Sequence, residues 1–464
     1  MANRVVVLGA GPAGAGAAFR LAQDGVQVTL LERGDGPGGV AGSFELAGMR
    51  VDYGSHRLHP QVDPRILADL RRLLGEDLRW RPRHGRISVG GRWVGFPLRP
   101  LDLLVHLPPA LTLMAARDAL AAPLRGARPA VESFAGVLER GLGPALCHAL
   151  YFPYARKVWG LEPQDLSPVQ ARRRVSARTP LALAGRLLPG KRRSRAFYYP
   201  RGGYGRISEA LAAEAERLGA NTHYGATVTA VEVVDRRAVA VRVMHGGQER
   251  RFEADHIFST LPLSALVRLA EPAAPEPVRR AAAALTTRAM VLVYLVLEAE
   301  HFSPYDAHYF PEPEVSITRL SEPKHYGGGP AGVTVLCAEL PCALGDAIWS
   351  ANDDALGRLV ADDLARADIP LGAPVRQVAV RRLPHAYPIY RAGFEAHFAS
   401  VDAWVGGVEG LLTFGRQGLF AHDNAHHALA MAYAAADSLR TDGGLDRERW
   451  AQFRTAFDRH VVVD

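Results

Sequence analysis

The chain opens on a short apolar run, Val5-Val6-Val7-Leu8, that breaks at Gly9-Ala10-Gly11-Pro12-Ala13-Gly14. Small and apolar residues then recur at helical spacing (Ala15, Ala17, Ala18, Leu21, Ala22) as far as Asp24-Gly25, and a second apolar run, residues 26–31, ends on Glu32. The β-branched runs predict strands, and the 3.6-residue pattern between them predicts a helix. Strand, glycine turn, helix, strand and acid stand in the order a dinucleotide site requires. Gly9 permits the tight turn, Gly11 leaves room for a pyrophosphate against the backbone, and Gly14 lets the helix pack on the strands. The helix start, at Pro12 and Ala13, brings its positive dipole end to the phosphates. Glu32 lies eighteen residues past Gly14, close to the ~20 expected of an acid that bonds a ribose hydroxyl.

The pattern continues in alternating blocks. Residues 204–219 read as an amphipathic helix (Ile207, Leu211, Ala215, Leu218) closed by Gly219. Residues 226–234, 238–244 and 250–252, with a Gly246-Gly247 turn, read as a three-stranded meander, and residues 255–262 as a parallel strand returning to the first sheet. Continuous apolar runs at 291–297 and 333–340, a helix over 349–367 and a strand over 375–383 predict a second domain built on a mixed sheet. Residues 411–420 return the chain to the first domain as strand and turn, and a helix follows from 423 to about 439. Residues 443–460 read as a charged surface helix. Residues 101–124 carry apolar positions at helical spacing, broken by Pro108-Pro109. A core or interface helix pair accounts for them, with a membrane-surface helix or a cap on a substrate channel as the alternative. Residues 327–332 repeat the G-x-G-x-x-G spacing, but no strand precedes them and no helix follows, so no second dinucleotide site is expected there.

At 464 residues the chain calls for two or three domains. With 48% apolar and 22% charged residues it has the composition of a globular protein. No apolar run reaches the ~20 residues of a membrane span, and no secretory pattern opens the chain. Three cysteines (Cys147, Cys337, Cys342) without C-x-x-C spacing argue against a disulfide frame or a structural zinc, and a reducing, cytoplasmic location is expected. The net charge of +7 comes largely from arginine and is poor evidence for nucleic acid. The densest cluster, over residues 172–195, suits a diphosphate clamp, anionic lipid or a solvated loop equally. The expected partner is a small molecule, with at most weak peripheral membrane contact, and the sequence fixes no oligomeric state.

Glu32-Arg33, the Gly38-Gly39 pair and Asp52-x-Gly54-Ser55-His56-x-x-His59 together resemble the FAD-dependent amine oxidase and protoporphyrinogen oxidase superfamily. The histidines are similar to the branch that holds UDP-galactopyranose mutase and bacterial protoporphyrinogen-oxidase-like flavoproteins. The hairpin-like segment 83–98, Lys157-x-Trp159-Gly160, the 197–205 segment and Gly415-Arg416 extend the resemblance over most of the chain. It implies an α/β fold: a Rossmann-like two-dinucleotide-type FAD-binding domain with a mixed-sheet substrate domain and a helical insertion. The corresponding division is 1–82, 196–268 and 405–464 for the FAD domain, 83–195 for the mostly helical insertion and 269–404 for the substrate domain. FAD is the implied cofactor. Beyond the first turn, the resemblance assigns Glu32, Arg33, Gly38, Gly39, Gly54, Ser55, Val228, Gly415, Arg416 and Asn424 to it. No metal is expected.

His56, Arg57 and His59, in the segment that runs under the flavin ring in this family, are candidate catalytic residues, with Arg319, Tyr387 and Tyr390. A histidine suits base or donor chemistry, while His56 can equally hold loop carbonyls and His59, before Pro60, can cap a turn. The expected activity is dehydrogenation of a small or medium-sized organic substrate by hydride transfer to flavin N5. The alternative is a mutase-like, non-redox reaction of a nucleotide sugar on reduced flavin.

Overall fold

The computed structural model describes residues 3–97, 105–121, 132–174 and 196–462. Most of the basic cluster at 172–195 and the ends of the 101–124 region lie outside these residues. A five-stranded parallel sheet takes the order Leu411–Thr413, His256–Ser259, Arg4–Leu8 (β1), Gln27–Leu31 (β2), Asn221–His223. Its centre is β1, and both faces are covered. Val5 and Val7 pack with the helix Pro12–Gln23 (α1), whereas Val6 and Leu8 pack toward the meander. Period-two alternation in an all-apolar strand thus fills two cores at once. Alanines and glycines on α1 let the helices Arg206–Arg217 and Ala425–Asp437 approach closely. A Cβ at Gly16 would stand 3.2 Å from that of Ala432.

The meander is an antiparallel sheet of Thr227–Val234, Arg237–His245 and Gln248–Glu253, with Ala270–Glu271 added as a fourth, parallel strand. The second large sheet has seven strands, in the order Val375–Pro388, Thr287–Leu297, Thr334–Cys342, Arg319–Ser321, Ala307–Tyr309, Gly85–Val89, Arg92–Phe96. Thr287–Leu297 sits between two long antiparallel neighbours, with Val291, Val293 and Leu295 on one face and Met290, Leu292 and Tyr294 on the other. The 85–96 hairpin reaches this sheet through a parallel pairing with Ala307–Tyr309.

Three local expectations change. The helix expected over 349–367 is two, Ala347–Ser350 and Asp353–Arg366, because Asn352 caps the second by accepting from Ala355 N–H. The helix in the 443–460 region, Arg447–Phe457, is not purely a surface element: Trp450 and Phe457 are buried in the α1-side core. Pro109–Ala121 leaves Leu113 and Leu120 73% and 82% exposed, and its buried contact is Asp118, which accepts the Ala145 N–H. A plain core helix is therefore not what these residues form. Among the described residues no helix is long and apolar enough to cross a membrane. All three cysteines are buried and unpaired in disulfides.

Candidate active site

The first turn is fixed by sterics. Gly9 has φ +92°, and a Cβ on Gly14 would lie 1.7 Å from the Gly9 carbonyl oxygen. Helix α1 starts at Pro12 with no side-chain cap, so its first N–H groups and dipole end point out of the turn. Glu32, at the end of β2, accepts the Ala10 and Gly34 N–H groups at 2.8 Å, one on each oxygen. Each oxygen keeps lone-pair capacity for a further donor such as a ribose hydroxyl. Gly38 donates its N–H to Ala10 O at 2.9 Å and has φ +139°, which folds the second glycine loop against the first.

These turns open a cavity of about 960 Å³, at the upper end of the ~300–1,000 Å³ typical of cofactor sites. It runs from Gly9, Gly11, Pro12 and Ala13 past Glu32, Arg33, Gly39 and Val228 to Ser55, His56, Arg57, Arg319, Tyr387, Arg416 and Asn424. One continuous space thus joins the parallel sheet to the seven-stranded sheet, with phosphate-binding architecture at one end and a polar cluster at the other. This is a long cradle that fits FAD, whose pyrophosphate would meet the α1 N-terminus.

The far end is built from buried ion pairs. Arg319 bonds Glu339 Oε1 through Nη2 (2.6 Å) and Nε (3.0 Å), and the same oxygen accepts the Ser55 N–H at 3.0 Å. Arg57 bonds Asp306 at 3.1 Å and lies 4.8 Å from the Phe197 ring. His56 Nε2 is 3.0 Å from Val40 O and 2.9 Å from Tyr53 O. Carbonyls only accept, so Nε2 carries the proton and Nδ1 the lone pair. Burial, with Arg319 nearby, lowers the His56 pKa to about 4. Arg416 bonds Ala386 O at 2.6 Å and covers Tyr387, which stacks on His422 at 4.9 Å. Behind this wall, Asp52 gathers Ser43 Oγ, Tyr199 OH and Tyr204 N–H within 2.8 Å, tying the second glycine loop to the 197–205 segment. Burial raises it to about 6 despite those donors.

Six of the residues singled out in the sequence do not line the cavity. Gly14, Gly38 and Gly415 shape its turns. A Cβ at Gly415 would meet that of Ala13 at 2.7 Å. Gly54 borders a small adjoining space of about 40 Å³ and sits against Glu339. His59 is buried behind the wall, accepts Gln61 N–H on Nδ1 and stacks on His426 at 5.3 Å. Tyr390 is also behind it: its hydroxyl donates to Phe420 O (2.9 Å) and accepts His422 N–H (3.0 Å). Tyr390→Phe orphans that carbonyl and that N–H, and is expected to cost about 1–3 kcal/mol in urea unfolding. The kcat of this variant should stay within twofold of the parent; a selective loss of kcat at unchanged stability would return Tyr390 to the chemistry.

Glu339, Thr227, Thr260, Tyr309 and His422 line the cavity and Asp306 holds Arg57, although the sequence singled out none of them. Glu339 had a signal, being the single charge in the apolar run 333–340. The lysine of Lys157-x-Trp159 donates to Phe310, Glu312 and Ile317 carbonyls at 2.5, 3.0 and 2.8 Å, so it braces the chain leading to Arg319.

Residues 13–404 match the family model described as flavin-containing amine oxidoreductase. A solved structure of reduced UDP-galactopyranose mutase superposes with a TM-score of 0.80 at 20% identity, covering 94% of this chain and 93% of that one. Among curated proteins, a phytoene dehydrogenase of Streptomyces griseus is 52% identical over 52 residues, 11% of this chain and 10% of that protein. A D-amino acid dehydrogenase of Dechloromonas aromatica (strain RCB) is 29% identical over 265 residues, 53% of this chain and 59% of that protein. The chain thus spans a tenth and about three fifths of the lengths of these curated relatives. With the cradle, the glycine turns and a family match over most of its length, the chain belongs to the flavin-containing amine oxidoreductase family, with FAD as its cofactor.

Proposed function

We propose that this enzyme dehydrogenates a small or medium-sized organic substrate, held between the cofactor and the His56–Arg319–Tyr387 wall. FAD, when bound, supplies the two-electron acceptor that takes hydride at N5. The protein's residues orient the substrate and manage its proton. His56 is fixed by two main-chain carbonyls and held neutral, which suits Nδ1 to accept a hydrogen bond or proton from a substrate N–H or O–H. Tyr387, between Arg416 and His422, gives a flat wall against which a substrate is positioned.

The observation that carries this reading over the mutase alternative is the carboxylate pairing of Arg319 and Arg57, the two arginines nearest the His56 segment. A nucleotide-sugar diphosphate needs cationic charge to clamp it, yet Arg319 is neutralised by Glu339 and Arg57 by Asp306. The structural likeness to the mutase supports the shared fold, and the dehydrogenase relative agrees with net oxidation. Anaerobic mixing with a panel of amines, amino acids and alcohols tests the choice. Bleaching of the oxidised flavin band by one class supports dehydrogenation. Turnover only after dithionite reduction, with no change in substrate oxidation level, overturns it in favour of the mutase.

A pH dependence follows from His56. Its folded pKa of about 4 lies below the ordinary 6.5, so between those values the unfolded chain binds more protons. Stability from this residue is complete above pH ~6.5 and is lost as pH falls toward 4. Over pH 5–8 the native ring does not titrate, and the kcat/KM profile should show no limb at 6.5 that His56→Asn removes. Finding one would contradict the neutral assignment.

A further inference from the structure

Behind the cavity wall, at the start of the Ala425–Asp437 helix, four imidazoles touch in series: His59 to His426 at 5.3 Å, His426 to His427 at 3.9 Å, and His427 to His460 at 4.1 Å. Asp423, which belongs to the cavity lining but has its side chain fully buried, lies against the last two. His460 Nδ1 is 3.0 Å from Oδ2 and His427 Nδ1 is 3.8 Å from Oδ1. One ligand atom from each of the three lies within 4.8 Å of the others. Asp423 Oδ1 has no hydrogen-bond partner, and neither has His426 Nδ1 nor His59 Nε2. Buried polar atoms are nearly always satisfied, so the fully buried, unpartnered Asp423 Oδ1 beside two imidazoles calls for a ligand.

We propose that Asp423, His427 and His460 bind a divalent transition metal of the zinc class. Two imidazole nitrogens and one carboxylate oxygen form a borderline donor set that zinc accepts, with a fourth position left for water or a further ligand. His427 Nδ1 carries a lone pair, engaged by the Asn424 N–H at a long 3.4 Å, and the metal would replace that weak contact. Metal entry at His460 Nδ1 replaces the His460–Asp423 bond, the ring proton moving to Nε2. The cation facing the cluster, Arg173, is 4.0 Å from Asp423 Oδ1 and is already paired with Asp458 at 3.1 Å. A second group, His301, Glu322 and His325, also offers two imidazoles and a carboxylate but is saturated. Glu322 accepts Phe302 N–H, Ser303 N–H and the Thr334 hydroxyl, and His325 Nε2 donates to Ser303 O.

The test uses the FAD-loaded full chain, stripped with EDTA and titrated with Zn²⁺ by calorimetry. The expected result is one equivalent bound. His460→Ala should weaken binding by more than about 100-fold, beyond the range of outer-shell changes, and His301→Ala should bind as the parent does. His460→Gln keeps side-chain bulk and should lose Zn²⁺ equally if alanine disturbs folding, which flavin retention and melting report. No stoichiometric Zn²⁺, unchanged binding in a folded His460 variant, or loss in His301→Ala would overturn the assignment.

Discussion

Gly14→Ala is expected to purify without FAD. The new methyl carbon would stand 1.7 Å from the Gly9 carbonyl oxygen, and this backbone has no flexible end to yield. Either α1 moves off β1 or the Gly9–Gly11 turn opens, and both displace the N–H groups that meet the pyrophosphate. Overpacking costs about 1–3 kcal/mol in cores, and a clash with main chain belongs at the top of that range. About 3 kcal/mol corresponds to a ~100-fold loss of affinity. FAD titration of the apoprotein, followed by flavin fluorescence, measures it. Gly406→Ala serves as control, because nothing lies within 4 Å of its added Cβ, and should leave FAD affinity unchanged. Equal affinity in both variants would mean that the turn does not hold the cofactor.

Glu339→Leu carries the second large effect. It leaves the Arg319 guanidinium buried without its carboxylate, and Ser55 N–H without its acceptor. Breaking a buried pair from one side costs about 3–5 kcal/mol, whereas replacing both partners with apolar residues is often neutral. Urea unfolding should therefore show a loss of about 3 kcal/mol for Glu339→Leu and recovery of most of it in Arg319→Met/Glu339→Leu. A single variant within 1 kcal/mol of the parent, or a double variant that is worse, would show that the pair does not organise the wall. Activity separates the two roles: the double variant should be stable yet impaired, since Arg319 lines the cavity.

What the sequence made legible was local or periodic. The opening turn declares itself because Gly9, Gly11 and Gly14 act on neighbours a few residues away, and the Thr287–Leu297 strand because an apolar run this dense fits only a buried one. The distant pairings were silent. Nothing near Gly85–Val89 announces a parallel partner at Ala307–Tyr309, and nothing near Arg57 announces Asp306, 249 residues on. His56 and His59 illustrate the limit most clearly. They stand three positions apart in one motif, yet the backbone carries the first onto the cavity and turns the second back onto His426. Trp450 and Phe457 were hidden by charge: arginines and glutamate around them gave the look of a solvated helix, while those two rings are buried in the core.

The account stands on a dinucleotide cofactor lying in the 960 Å³ cavity from the α1 N-terminus to Arg416. The direct measurement is the absorption spectrum of the protein as purified, with the chromophore released by acid and counted. One FAD per chain, lost on Gly14→Ala and retained on Gly406→Ala, is the predicted result. A colourless protein that takes up no added FAD would contradict it.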